Sequence, residues 1–202
     1  MPFGQDQYRP FLWAARIIRW GAFALGVLSS NVAVAQESDF LETLLKDTSN
    51  VMIVLDGSGS MNQDWRDGAT KFEAARDAMT ATTANLPTAT RSGAVTFGHR
   101  RNFDCSDIEV LSNPTAAPAS LAQALAHESP QERGMRPLAD AIETAAARLS
   151  QQAGPGAIVV LTDGAEECGG NSCALSAPLA QMQTPVHLIG LGSIVSCRCR
   201  NT

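Results

Sequence analysis

The chain has 202 residues, of which 45% are hydrophobic and 17% are charged, a composition typical of a globular protein with one main domain. Its formal net charge is −5 at pH 7. Proteins that grip a phosphate backbone present basic surfaces, so the composition argues against nucleic acid as a partner.

The N-terminal segment, residues 1–35, has the pattern of a bacterial export signal. Three arginines precede an apolar stretch at residues 20–28, and Ala33-Val34-Ala35 offers a small-residue cleavage site. The apolar stretch is shorter than the ~20 residues that a membrane-spanning helix needs. We therefore expect a cleaved signal peptide and a periplasmic or secreted protein without a membrane span; an uncleaved anchor is the alternative.

Apolar runs of strand length then alternate with amphipathic helical patterns. A lead-in helix is predicted for residues 36–49. The predicted strands are residues 51–55, 92–97, 107–111, 157–161 and 186–191. The predicted helices are residues 71–86, 120–127, 137–151 and 173–182. This alternation predicts a three-layer, doubly wound α/β fold, with a mostly parallel sheet and helices on both faces.

Two polar motifs follow apolar strands. Asp56-Gly-Ser58-Gly-Ser60 follows the first strand, and Thr162-Asp163-Gly164 follows the strand at residues 157–161. Ligands of such folds bind beyond the carboxyl ends of the strands, so we expect both motifs to form one site. Oxygen ligands on tight loops suit a hard divalent cation. The alternative is that these residues only form turns.

Together the motifs resemble the metal-ion-dependent adhesion site (MIDAS) of von Willebrand factor type A domains. That resemblance implies that Ser58 and Ser60 ligate Mg²⁺, Mn²⁺ or Ca²⁺ directly. Asp56 and Asp163 would hold the ion through waters or hydrogen bonds. Because the protein supplies little negative charge, an acidic side chain of a protein partner completes the metal shell. The implied function is metal-dependent protein binding.

The resemblance covers residues 50–192 and leaves residues 193–202 as a tail that contains cysteine and arginine. The family continues after the strand at residues 186–191 with a further strand and helix. We therefore expect either a truncated C-terminus or a minimal variant of the fold.

One position departs from the family pattern. The family supplies a threonine ligand from a middle loop, and the matching segment Gly134-Met-Arg136-Pro-Leu138 has arginine there. A guanidinium cannot ligate a cation and repels one at contact distance. Arg136 is therefore expected either to turn into solvent or to occupy the metal position and pair with Asp56 and Asp163. The second arrangement would be a metal-free pseudo-site with a structural or scaffold role.

The five cysteines are at positions 105, 168, 173, 197 and 199. The string Cys168-Gly-Gly-Asn-Ser-Cys173 resembles a subset of exported bacterial domains of this family. It implies a short Cys168–Cys173 disulfide, which an exported protein can form. A zinc site is the rival, but no C-x₂-C pair occurs. The pairing of Cys105 with Cys197 or Cys199 stays open.

The sequence does not contain complete versions of several catalytic and ligand-binding motifs. Ser58 does not lie in a G-x-S-x-G sequence, and no phosphate-binding G-x-x-x-x-G-K-[ST] loop occurs. An EF-hand starting at Asp56 fails because Met61 stands where that loop needs glycine. We expect no enzymatic activity, and a metal-dependent hydrolase is the weakest alternative.

Overall fold

The structure is a computed structural model that describes residue 45 and residues 47–192, apart from the side chains of residues 115, 116 and 118. The predicted signal peptide, nearly all of the lead-in helix and the tail at residues 193–202 lie outside the described residues. Among the described helices, none has the length and apolarity to cross a membrane.

The strands are β1 (Asn50–Asp56), β2 (Arg91–Phe97), β3 (Ile108–Ala116), β4 (Gly156–Thr162) and β5 (Val186–Gly190). The helices are α1 (Lys71–Asn85), α2 (Pro118–Leu125), α3 (Leu138–Leu149) and α4 (Ser176–Gln181). Short 3₁₀ turns span Gly59–Asn62 and Ser172–Leu175. Each predicted strand and helix from residue 50 onward is present.

The described strands form one sheet in the order β3-β2-β1-β4-β5. β1 pairs in parallel with β2 and β4, β4 pairs in parallel with β5, and only β3 is antiparallel to its neighbour. All seven residues of β1 are buried, as expected for a strand covered on both faces. The predicted doubly wound, mostly parallel α/β fold is confirmed.

Two apolar layers cover the sheet, because successive side chains of a strand point to opposite faces. Ile53 and Leu55 of β1 pack in one layer with residues of α1 and α2, and Leu45 is buried there too. Met52 and Val54 pack in the other layer with residues of α3. Helices pack against both faces of β1, and this packing holds the carboxyl end of β1 in place.

Strand β3 is longer than predicted. The turn-rich composition from Pro114 onward predicts a loop, yet the strand continues to Ala116. β3 is an edge strand of the described sheet, where a proline that lacks an N–H is tolerated. The register between β2 and β3 shifts twice along this pair, which accommodates the irregular sequence.

Three loops meet closely above the carboxyl end of β1. The Gly59 N–H donates to the Gly134 carbonyl at 3.1 Å. A Cβ atom on Gly134 would lie 1.8 Å from the Gly98 carbonyl oxygen, so only glycine fits there. The loops after β1 and β2 are thus held against the segment that leads into α3, and this contact positions the candidate site.

Candidate binding site

Asp56 is the last residue of β1 and is fully buried. Its Oδ1 accepts a hydrogen bond from the Ser58 N–H at 2.8 Å, which fixes the tight turn after the strand. Its Oδ2 accepts from the Thr162 hydroxyl and from the Arg136 Nε. The carboxylate therefore joins the first motif, the second motif and the middle loop.

The structure brings the two polar motifs together, as the sequence predicts. The hydroxyl oxygens of Ser58 and Ser60 lie 3.4 Å apart. The Ser60 hydroxyl donates to Asp163 Oδ1 at 2.6 Å, across the boundary between the two motifs. This proximity follows from the parallel pairing of β1 with β4, which places both carboxyl ends at one edge of the sheet.

Arg136 fills the centre of this cluster, and its side chain is only 6% exposed. Its Nη2 lies 3.0 Å from Ser58 Oγ, 2.5 Å from Ser60 Oγ and 3.0 Å from Asp163 Oδ1. Its Nε donates to Asp56 Oδ2 at 2.9 Å. Of the two arrangements expected for Arg136, the structure shows the one in which the guanidinium occupies the metal position.

The remaining guanidinium nitrogen of Arg136 faces the loop after β4. Its Nη1 donates to the Ala165 carbonyl at 3.1 Å and pairs with Glu167 Oε1 at 3.0 Å. A Cβ on Gly164 would lie 2.4 Å from this nitrogen, so the glycine of the second motif leaves room for the guanidinium. All three guanidinium nitrogens therefore have acceptors from the site.

The residues in this arrangement do not fit a divalent ion. A nitrogen that carries positive charge stands within hydrogen-bond distance of three of the oxygens that would surround the ion. Metal binding at Asp56, Ser58, Ser60 and Asp163 stays a prediction, and it requires Arg136 to leave the pocket.

Two further charged residues, Lys71 and Glu167, contact the site. The Lys71 Nζ, at the start of α1, pairs with Asp163 Oδ2 at 2.7 Å, and both side chains are mostly buried. Glu167 pairs with Arg136 while its own side chain stays 46% exposed. The sequence pattern does not distinguish either residue from an ordinary surface charge. The contacts of such long side chains depend on how the loops are arranged in three dimensions.

The charges around Arg136 keep it protonated. Burial alone would lower the pKa of its guanidinium, but the neighbouring charges of Asp56, Glu167 and Asp163 and the hydrogen bond to Asp56 raise that pKa overall. Arg136 therefore carries a positive charge at the centre of the site throughout the physiological pH range.

The disulfide prediction is wrong in its pairing. Cys168 bonds to Cys105, 63 residues away in the chain, with their Cα atoms 5.6 Å apart. Because Cys168 is paired with Cys105, Cys173 is not its partner, although Cys173 is itself disulfide-bonded. The physical reason is that the loop before β3 and the loop after β4 rise over the same edge of the sheet, a contact that local spacing does not reveal.

Glu166 has a positioning role that the sequence did not indicate. Its Oε2 accepts from the Ala139 N–H at the start of α3, at 2.7 Å, and its Oε1 accepts from the Cys168 N–H at 2.7 Å. A carboxylate at a helix N-terminus satisfies a free backbone donor and matches the helix dipole. Glu166 thereby ties the disulfide loop to the helix that follows Arg136.

The loop between β2 and β3 is organised around Asp107, which is fully buried. Its Oδ2 accepts from the backbone N–H groups of Arg100 and Arg101 at 2.7 and 2.8 Å, and its Oδ1 accepts from Arg100 Nε at 3.1 Å. Burial raises the pKa of this carboxyl group, but these hydrogen bonds outweigh burial and hold the pKa below its ordinary value.

Comparison with known proteins identifies the family. Residues 51–166 match the sequence profile of the von Willebrand factor type A domain. The uncharacterised protein YwmC of Bacillus subtilis (strain 168) is 30% identical over 173 residues, which covers 82% of this chain and 76% of that protein. The chain belongs to the von Willebrand factor type A domain family.

Solved structures agree on the fold. Proximal thread matrix protein 1 from the mussel byssus is similar with a TM-score of 0.57 and 18% identity, over 69% of this chain. This chain spans 35% of that mussel chain. A second structure of the mussel protein, with a zinc-occupied MIDAS motif, has a TM-score of 0.54 and 13% identity, over 70% of this chain and 37% of that one.

The manganese-loaded TRAP protein of Plasmodium vivax has a TM-score of 0.55 and 16% identity, over 77% of this chain and 65% of that one. At such identities the likeness extends to the fold. The zinc and manganese ions belong to those proteins.

Replacing Arg136 with methionine is expected to lower the free energy of unfolding by about 3–5 kcal/mol, because the variant leaves buried carboxylates without their cation. The free energy is measured by urea denaturation monitored by circular dichroism. Arg91→Met, at an exposed position, is the matched control and should change stability little. An equal, small effect for both variants would show that the guanidinium is not held in the site.

The Asp107 network predicts a specific dependence of stability on pH. A carboxyl group with a lowered pKa in the folded state stabilises the fold above its unfolded pKa, and this contribution is lost as the pH falls through the folded pKa. The Asp107→Asn variant should therefore be less stable than wild type by about 2 kcal/mol at neutral pH. The difference should shrink below the ordinary aspartate value of about 3.9.

Urea denaturation at several pH values measures this difference. Asp77→Asn is the control, since the Asp77 side chain is 70% exposed. A destabilisation by Asp107→Asn that is the same at neutral pH and well below pH ~4 would contradict the carboxylate's role.

Proposed function

We propose that this protein is a non-catalytic binding module whose adhesion-type site is held together by Arg136 in place of a metal ion. The observation that carries the proposal is the guanidinium nitrogen placed between Ser58, Ser60 and Asp163. The guanidinium joins the loops after β1 and β4 through its own hydrogen bonds, and on this basis the module would bind its partner without divalent cations.

The charge balance of the site supports this proposal. Arg136 and Lys71 each contribute one positive charge beside Asp56 and Asp163. Together they supply the charge that a single divalent ion would bring to the same two carboxylates. An added ion would have to displace the guanidinium and would meet the lysine ammonium as well, which opposes its binding.

We propose a protein as the partner, with an acidic side chain that reaches Arg136. Glu167 already places a carboxylate 3.0 Å from Arg136 Nη1 from a partly exposed position, so the guanidinium can pair with a carboxylate there. A partner carboxylate would exchange with Glu167. The net charge of −5 gives no support to nucleic acid as the partner.

A role in catalysis is not part of the proposal. A serine nucleophile needs a neighbouring general base, whereas the Ser58 hydroxyl accepts a hydrogen bond from the Arg136 guanidinium, which cannot take a proton. His99 is engaged elsewhere, with its Nε2 at 3.1 Å from Glu109 and 3.2 Å from Glu128.

Export is also proposed, and the disulfides support it. The Cys105–Cys168 bond would persist in an oxidising compartment such as the bacterial periplasm or the extracellular space. The arginine-rich start, the apolar stretch and the small-residue cleavage site point to the same destination.

The second candidate function is metal-dependent binding, as in the resemblance that the motifs imply. Metal-dependent binding is supported by the convergence of four residues in one pocket: Asp56, Ser58, Ser60 and Asp163. Magnesium keeps several waters and needs few protein ligands, so these four residues would suffice once Arg136 had moved out.

Titration with Mg²⁺ and Mn²⁺ separates the two candidates, by calorimetry and by the thermal unfolding midpoint. Wild type should show no saturable heat and no shift of the midpoint. Arg136→Thr should bind Mg²⁺, and its midpoint should rise, since a ligand at about 100 times its Kd stabilises by about 2.7 kcal/mol.

The double variant Asp56→Ala/Arg136→Thr is the control and should lose both responses. Saturable binding to wild type that Asp56→Ala abolishes would instead establish the metal-dependent function. If Arg136→Thr folds and still binds no ion, the guanidinium is not what blocks the site.

A further inference from the structure

Phe103 is the most exposed large apolar side chain among the described residues, with 67% of its surface accessible. It lies in the loop between β2 and β3, at the carboxyl edge of the sheet where Arg136 also lies. Single exposed apolar residues are common, so the exposure of this ring is informative only together with its backbone conformation and its charged neighbour.

The backbone of Phe103 has a φ of 57°, in the left-handed region. A bulky residue there costs free energy that glycine or asparagine would avoid. Strained residues persist where the surroundings hold them, and they concentrate at binding sites. Phe103 is thus an aromatic residue at a position whose backbone conformation favours glycine or asparagine.

Hydrogen bonds and a disulfide restrain the loop around Phe103. The Phe103 N–H donates to the Arg133 carbonyl at 2.9 Å, and the Arg133 N–H donates to Asn102 Oδ1 at 3.0 Å. Cys105, two residues beyond Phe103, forms a disulfide with Cys168 and so attaches the loop to the loop after β4. A ring held in one place loses little conformational entropy when a partner covers it.

Arg133 adds a cation to the same surface. Its guanidinium carbon lies 5.4 Å from the centre of the Phe103 ring, in the range of a cation–π contact. Arg100 and Arg101, on the neighbouring part of the loop, pair with carboxylates of the chain. Arg133 is exposed and has no such ion pair within the described residues.

We propose that Phe103 and Arg133 form the contact surface for the protein partner, which presents a large apolar side chain next to a carboxylate. The apolar side chain packs on the exposed Phe103 ring, and the carboxylate pairs with Arg133. Aromatic and arginine side chains of this kind dominate the energetics of protein interfaces. The inference rests on the proposed binding function and adds the surface and the chemistry of the partner.

The surface and the Arg136 pocket belong to one structural unit. Arg133 and Arg136 are on the same segment, which the Asn102–Gly134 bridge joins to the Phe103 loop. A partner that covers Phe103 would therefore contact the segment that carries Arg136.

The test is selection of a phage-displayed library of random peptides on the intact protein, in parallel with Phe103→Asn. Wild type should enrich peptides with a large apolar residue next to Asp or Glu. These peptides, made synthetically, should bind Phe103→Asn about tenfold or more weakly. Arg133→Gln should weaken binding less and reduce its dependence on salt.

Met182→Asn is the matched control, because Met182 is an exposed apolar residue after α4 and should leave peptide affinity unchanged. Asparagine tolerates the left-handed backbone, so Phe103→Asn should have an unfolding midpoint equal to or above that of wild type. Unchanged stability together with lost binding is a result that a structural role for Phe103 would not produce.

Peptides that bind Phe103→Asn as tightly as wild type would overturn the proposed surface while leaving the binding function in place. Failure of wild type to enrich any peptide would count against both the surface and the proposed function.

Discussion

The interaction on which the rest of the site depends is the buried guanidinium of Arg136. It contacts oxygens from the loop after β1 and the loop after β4, and it is carried by the segment that leads into α3. A metal ion in this family would join the same loops. The fold needs a positive charge there, because Asp56 is fully buried at the end of the central strand.

A permanent cation has different physical consequences from an exchangeable one. A metal-dependent site can be emptied by chelation and needs a partner ligand to complete its shell. A guanidinium is tethered to the chain, and its hydrogen bonds are already made within the site. If the proposed function is correct, the site is preorganised, and discrimination between partners would depend on the groups around the pocket, such as Glu167 and the Phe103–Arg133 surface.

The order of strands and helices could be predicted from the sequence, since strands covered on both faces read as apolar runs and helices show their own period. The meeting of Asp56 with Asp163 was predictable too, because both follow parallel strands. The roles of Lys71 and Glu167 were not, as each depends on a long side chain reaching across loops. The Cys105–Cys168 bond was missed for a related reason: two loops distant in sequence converge over one edge.

The central claim is that Arg136 occupies the cation position, and a crystal structure after soaking in Mn²⁺ tests it most directly. The account predicts well-defined density for the guanidinium among Ser58, Ser60 and Asp163, and no anomalous manganese peak there. An anomalous peak between these three residues, with Arg136 displaced from the pocket, would contradict the account and establish a metal-dependent adhesion site.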